Sequence, residues 1–152
     1  EQVAAWPMPS PDDYDYSQVA EKCRLNAEYA IHAGGAGTGD VINSCGMLRT
    51  MEQVLVDLII DEPAGLLLAK RRVDIQAEIL RRTLEAARGG IDFVWMGEDL
   101  GTQIGPLISL DMYRRLLRPY HQKYVDLGNK FGVPVMVHSC GSSSWPIASA
   151  FR

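Results

Sequence analysis

Apolar residues recur at helical spacing in four stretches of the chain, and two short apolar runs sit between glycine-bounded loops. Val19, Cys23, Ala27 and Ala30 mark the first stretch, with Ser17 as a candidate N-cap. This helix must fail near Gly34-Gly35. Tyr29 to His32 can alternatively be read as a short strand, and the sequence leaves both readings open. Leu48, Met51, Leu55, Leu58 and Ile59 form a second stripe that ends at Asp61-Glu62-Pro63, where Pro suits the first turn of the next helix. That third helix carries Leu66, Val73, Ala77, Leu80, Leu84 and Ala87 on one side and stops at Gly89-Gly90. Its Lys70, Arg71, Arg72, Arg81, Arg82 and Arg88 read as a solvated face, because Asp74, Glu78 and Glu85 interrupt the positive charge.

Ile91 to Met96 is short, apolar and bounded by glycines, which predicts a buried strand. A polar loop, Gly97 to Gln103, follows it. Ser109 then caps a fourth helix, with Asp111 in its first turn and Leu116, Tyr120, Leu127 and Phe131 along one side. Pro119 must kink or split this helix. Gly132 ends it, and Val133 to His138 is the second strand. Strand, loop, helix, strand is a βαβ unit, so the fold class is α/β with parallel strands.

Two other segments lack such periodicity. Pro7, Pro9 and Pro11 alternate ahead of Asp12, Asp13 and Asp15, so residues 1–16 are expected to be an extended arm, either a linker or an arm that docks on another subunit. Gly34, Gly35, Gly37 and Gly39 form a cluster without the Gly-Lys-Ser/Thr ending of a P-loop, and Asp40 would repel phosphate. A flexible loop is the stronger reading there, and His32 reads as a polar residue beside a turn.

The 152 residues are 47% hydrophobic and 22% charged, which argues for one globular domain and against disorder. A net charge of -4 gives no basic footprint for nucleic acid or an anionic membrane. No apolar run is long enough to span a bilayer, and no signal peptide is visible. Three cysteines, Cys23, Cys45 and Cys140, with no Cys-x-x-Cys, fit a reducing compartment, and a cytoplasmic protein is expected.

In parallel sheets ligands sit beyond the carboxyl ends of the strands, and both predicted strands end in reactive residues. His138 and Cys140 are two apart on an extended segment and face the same way. An imidazole beside a thiolate is half of a zinc site, or else a His-activated thiol. Glu98 and Asp99 follow the other strand and should point apart, leaving one for acid–base work; capping of the loop is the plainer alternative. Gln103 adds a neutral donor and acceptor at the same mouth. Tyr113 is a second candidate substrate-binding residue, with core packing as its alternative.

The run Gly97-Glu98-Asp99-Leu100-Gly101-Thr102-Gln103, followed by Gly105-Pro106-Leu107-Ile108-Ser109, Met112-Tyr113, Arg118-Pro119-Tyr120 and His138-Ser139-Cys140-Gly141, resembles the uroporphyrinogen decarboxylase family. It is most similar to the branch shared with methylcobamide:coenzyme M methyltransferases. Met47 to Glu52, with Leu55 and Asp57, resembles the same family's middle region, and the likeness spans roughly residues 12 to 143. The resemblance implies a (β/α)8 TIM-type barrel, which needs about 250 residues. This chain is expected to be a fragment of one, too short to close alone. Residues 17–141 would be the partial barrel, and 142–152 an atypical tail that reads as the end of a truncated or frame-shifted frame.

In the methyltransferase branch the His-x-Cys pair supplies two zinc ligands, which implies zinc on His138 and Cys140. A later Cys of that branch has no counterpart here, and the decisive Asp of the decarboxylase branch would lie before this chain begins. The expected function is thus a decarboxylase-like lyase or a zinc-dependent corrinoid methyltransferase-like protein acting on a small molecule. One alternative is a hydrolase, for example a glycosidase, using Glu98 or Asp99 in an inter-subunit cleft. Another is a non-catalytic associating fragment. Unpaired strand edges and bare apolar helix faces predict a homodimer or larger assembly.

Overall fold

Three parallel strands carry the chain's reactive ends in one row. In the computed structural model, which describes residues 1–142, β1 (His32–Gly34), β2 (Phe93–Gly97) and β3 (Val135–His138) lie side by side in sequence order. Ala33 pairs with Val94, Trp95 with Met136, and Gly97 with His138. The protein is therefore mixed α/β with a parallel three-stranded sheet. The expected tail falls almost wholly outside the described residues.

Helices make both crossovers, as parallel pairing requires. Between β1 and β2 run α3 (Ile42–Arg49), α4 (Met51–Ile59) and α5 (Pro63–Ala87). Between β2 and β3 run α6 (Leu110–Met112), a π-helical stretch at Tyr113–Leu117, and α7 (Arg118–Phe131). Ahead of the sheet lie α1 (Gln2–Ala5), a 3-10 turn at Pro11–Asp13 and α2 (Val19–Leu25). Among the described residues, no helix is long and apolar enough to cross a membrane.

Strand alternation sorts the sheet into two faces. Ala33, Val94 and Met96 are buried on the face that meets α5 and α7. Val41, Ile42, Val73, Leu100, Leu117 and Tyr124 close the core around them. Each such aliphatic side chain contributes about 1.5–3 kcal/mol through its burial. His32, Phe93, Trp95 and Met136 share the opposite face, where the His32 ring lies 5.1 Å from that of Trp95 and 5.4 Å from that of Phe93.

Several local expectations change. The first helix stops at Leu25, because the Asn26 side chain caps back onto the Lys22 carbonyl at 2.8 Å. Ala27 and Ala30 are outside it, and His32 begins a strand. Ser17 does not cap this helix; Gln18 precedes it, and the Ser17 amide is held by Asp15 Oδ1. The second stripe is two helices. Thr50 adopts φ 69° between them, and its hydroxyl accepts from the Gln53 amide to start α4. That break leaves Leu48, Met51 and Ile59 exposed, while Leu58 is buried.

The arm at residues 1–16 lies on its own chain. Arg71 donates to the carbonyls of Val3 and Trp6, and Arg82 pairs with Asp12 Oδ1 at 2.5 Å, so α5 straps it down. Arg81 and Arg82 also grip Glu78, so the expected solvated face of α5 is partly an ion-pair network. In the fourth helix Leu116 is buried as expected, and the rest of the buried side is Tyr113, Leu117, His121, Tyr124 and Gly128. The π-helical stretch ahead of Pro119 shifts the register, and Tyr120, Leu127 and Phe131 only flank the core.

Candidate metal centre

β2 and β3 deliver their carboxyl ends to the same place. The Glu98 amide donates to the His138 carbonyl at 3.0 Å, and the Leu100 amide to Ser139 Oγ at 3.0 Å. Beyond the strands, Gly101 and Gly141 cross so closely that no side chain fits. A Cβ on Gly141 would lie 2.3 Å from the Gly101 carbonyl oxygen, and Gly141 has φ 77°. Thr102 pairs with Ser142 at the same crossing.

There Asp99, His138 and Cys140 converge. Their ligand atoms all lie within 4.8 Å of one another. His138 Nε2 is 3.2 Å from Cys140 Sγ and 3.6 Å from Asp99 Oδ1. Two ligands sharing one tetrahedral zinc stand about 3.4–3.6 Å apart, given the usual bond lengths. One nitrogen, one sulfur and one oxygen donor are a set that zinc accepts, so the residues present fit the ion. His138 and Cys140 stand together as their spacing suggests. The third member, Asp99, comes from the other strand end.

Asp99 is built to stay charged. The Cys140 amide donates to Oδ1 at 2.8 Å, Asn43 Nδ2 donates to Oδ2 at 3.1 Å, and His138 is nearby; these contacts hold its carboxyl below the usual carboxylate range. Cys140 responds oppositely. The Asp99 carboxylate beside its exposed thiol pushes the thiol's pKa up. Without a cation the sulfur is thus a protonated, weak nucleophile, which disfavours the His-activated thiol reading.

Glu98 points the other way, into the core, and is 1% exposed. Its Oε2 accepts from the Val41 amide at 2.7 Å and its Oε1 from the Ile42 amide at 3.0 Å. His121 Nε2 lies 3.2 Å from Oε2, and Tyr113 Oη lies 3.2 Å from His121 Nδ1. Burial pushes the Glu98 carboxyl up to about 7 and the His121 imidazole down to about 4. Asp40 is raised to about 7 as well, by burial and then by the neighbouring Glu98 charge. A proton on Asp40, given in a hydrogen bond to Glu98, relieves the repulsion between the two carboxylates.

Glu98 therefore has no open side toward a cleft, and its place is that of a clamp on the start of α3. Tyr113 is fully buried inside the same cluster, on the core-packing side of its two readings. Gln103 stands exposed at the tip of a turn closed by Thr102 and Gly105. Asp40 and His121 carry chemistry that the sequence reading did not assign. The signal for His121 was its spacing from Tyr113, Leu117 and Tyr124, one helical face interrupted by a polar ring. Asn43 had no such signal, because its side-chain partner Asp99 lies 56 positions away; Asp40 caps Asn43 locally, but its coupling to Glu98 is long-range in the chain.

Among protein-family models, curated proteins and solved structures, nothing matches this chain.

Proposed function

We propose that this chain is a segment of a (β/α)8 barrel of the uroporphyrinogen decarboxylase type, and that it belongs to the zinc-dependent methyltransferase-like side of that family. What supports the barrel reading is sequential parallel order, β1-β2-β3, with helical crossovers and the reactive residues at the strands' carboxyl ends. The single observation that carries the functional reading is the meeting of Asp99, His138 and Cys140. A decarboxylase reading gains nothing from a His-Cys pair. A hydrolase acting through Glu98 needs that carboxyl to face substrate, whereas Glu98 is sealed in the core, and one acting through Asp99 leaves the convergence of His138 and Cys140 on that carboxylate without a role.

In this reading Asp99, His138 and Cys140 hold zinc. The ion would supply Lewis-acid activation, lowering the pKa of a substrate thiol so that its proton passes to solvent and its thiolate could attack the methyl carbon of a methylcobamide, whose Co–C bond would break with the electron pair left on the corrinoid cobalt. Three protein donors leave room for that thiol, as catalytic zinc sites do. Asp99 offers negative charge, the Gly101–Gly141 crossing fixes the loop that carries Cys140, and Glu98 anchors the neighbouring helix start from below. The exposed Met47, Leu48, Met51, Ile59 and Ile60 give a second copy an apolar surface to cover, consistent with a homodimer. A direct test incubates the zinc-loaded chain with methylcobalamin and a small thiol. The reading expects thiol methylation with loss of methylcobalamin absorbance, abolished in Cys140→Ser; no transfer at any zinc loading would reject it.

A further inference from the structure

We propose that Asn43 is the positioning residue of this centre: it holds Asp99 turned toward His138 and Cys140. The inference rests on the metal reading above and concerns a residue in the first turn of α3, far from both strands in sequence.

Asn43 is firmly placed at the start of α3. Its amide donates to Asp40 Oδ1 at 2.9 Å. The two amides before it, Val41 and Ile42, are both taken by Glu98. Three successive backbone donors at this helix start are therefore fixed by two buried carboxylates, and Glu98 immediately precedes Asp99 in the chain. The helix start and the Asp99 backbone cannot move independently.

From that fixed start the Asn43 side chain reaches across to Asp99. At 3.1 Å from a carboxylate oxygen, the amide must present its N–H rather than its carbonyl, since two acceptors would repel. This contact distinguishes the two oxygens of Asp99. Oδ2 is engaged by Asn43, whereas Oδ1 takes the Cys140 amide and faces His138 Nε2. With only the Cys140 contact the carboxyl is free to rotate about its Cβ–Cγ bond; with both, it has one orientation. A hydrogen-bond partner that orients a metal ligand is typically worth about 10–100-fold in metal affinity.

The test uses zinc competition against a chromophoric chelator for four proteins: wild type, Asn43→Leu, Asp99→Ala and the double variant. Asn43→Leu keeps the branching and the number of side-chain heavy atoms and removes the donor. It should weaken zinc binding by about 10–100-fold. In the Asp99→Ala background the same change should have no further effect, because Asn43 acts through Asp99. Cobalt(II) gives an independent readout, with visible bands that differ between wild type and Asn43→Leu. Asn43→Ala repeats the cycle should Asn43→Leu fold poorly by far-UV circular dichroism. Zinc affinity within twofold of wild type, or an equal loss in both backgrounds, would overturn the proposal. A wild-type chain that takes up neither metal would instead defeat the metal reading, and this inference with it.

Discussion

The backbone amide of Cys140 donates to Asp99 Oδ1 at 2.8 Å, so the carboxylate at one strand end is fastened to the peptide that carries the thiol of the next. The same closeness sets their ionisation against each other, lowering Asp99 and raising Cys140. A cation held by both groups would favour the thiolate, the thiol's proton passing to solvent.

That exchange has a measurable slope. A thiol must be deprotonated before it ligates, and the raised Cys140 thiol is still protonated near neutrality. Zinc affinity should therefore rise about tenfold per pH unit between pH 7 and 8, with about one proton released per ion. Competition titrations at several pH values read this directly. A flat affinity over that range would mean that sulfur is not a ligand.

Asp40 and Glu98 make the fold itself sensitive to pH in the opposite sense. Asp40 is raised from 3.8 to about 7 and Glu98 from 4.5 to about 7, so the folded chain holds protons that the unfolded chain gives up. Their contribution to stability is complete below about pH 4 and is lost as pH rises through 7. The Asp40→Asn variant keeps the oxygen that caps Asn43 and removes one charge of the pair. Its melting temperature should fall less than that of the wild type between pH 5 and pH 8. Parallel profiles for the two proteins would show that the pair does not share a proton.

Glu98→Gln probes the clamp on α3. An amide has one oxygen, so one of the Val41 and Ile42 donors must face an NH2 group. A buried donor left without a partner costs about 1–3 kcal/mol. Urea unfolding of the metal-free protein at pH 5, where the folded Glu98 carboxyl is protonated and the substitution removes no charge, should show a loss of that order, and an unchanged midpoint would mean that the amides find other partners.

Much of this architecture was legible in the sequence where local rules decide. Apolar runs between glycines gave both βαβ strands, Ser109 caps its helix through a 3.1 Å contact to Met112, and Gly132 ends α7 at φ 69°. His138 and Cys140 were legible because period-two alternation places them together. What escaped needed three dimensions. Asn43 and Asp40 join the site only after the crossover folds back over β2. The bend at Thr50 hides within an unbroken apolar rhythm, since nothing in that rhythm forbids a continuous helix. The π-helical stretch turned the fourth helix and buried His121, where a strict 3.6-residue period had put Leu127 and Phe131.

The most direct test of the account is the zinc content of the purified chain, never exposed to chelator, compared with its Cys140→Ser and Asp99→Ala variants by elemental analysis. Near-stoichiometric zinc is expected in the wild type, little or none in folded Cys140→Ser, and a reduced but measurable content in folded Asp99→Ala. Folded wild-type protein that carries no zinc, and takes up none on dialysis, would contradict it.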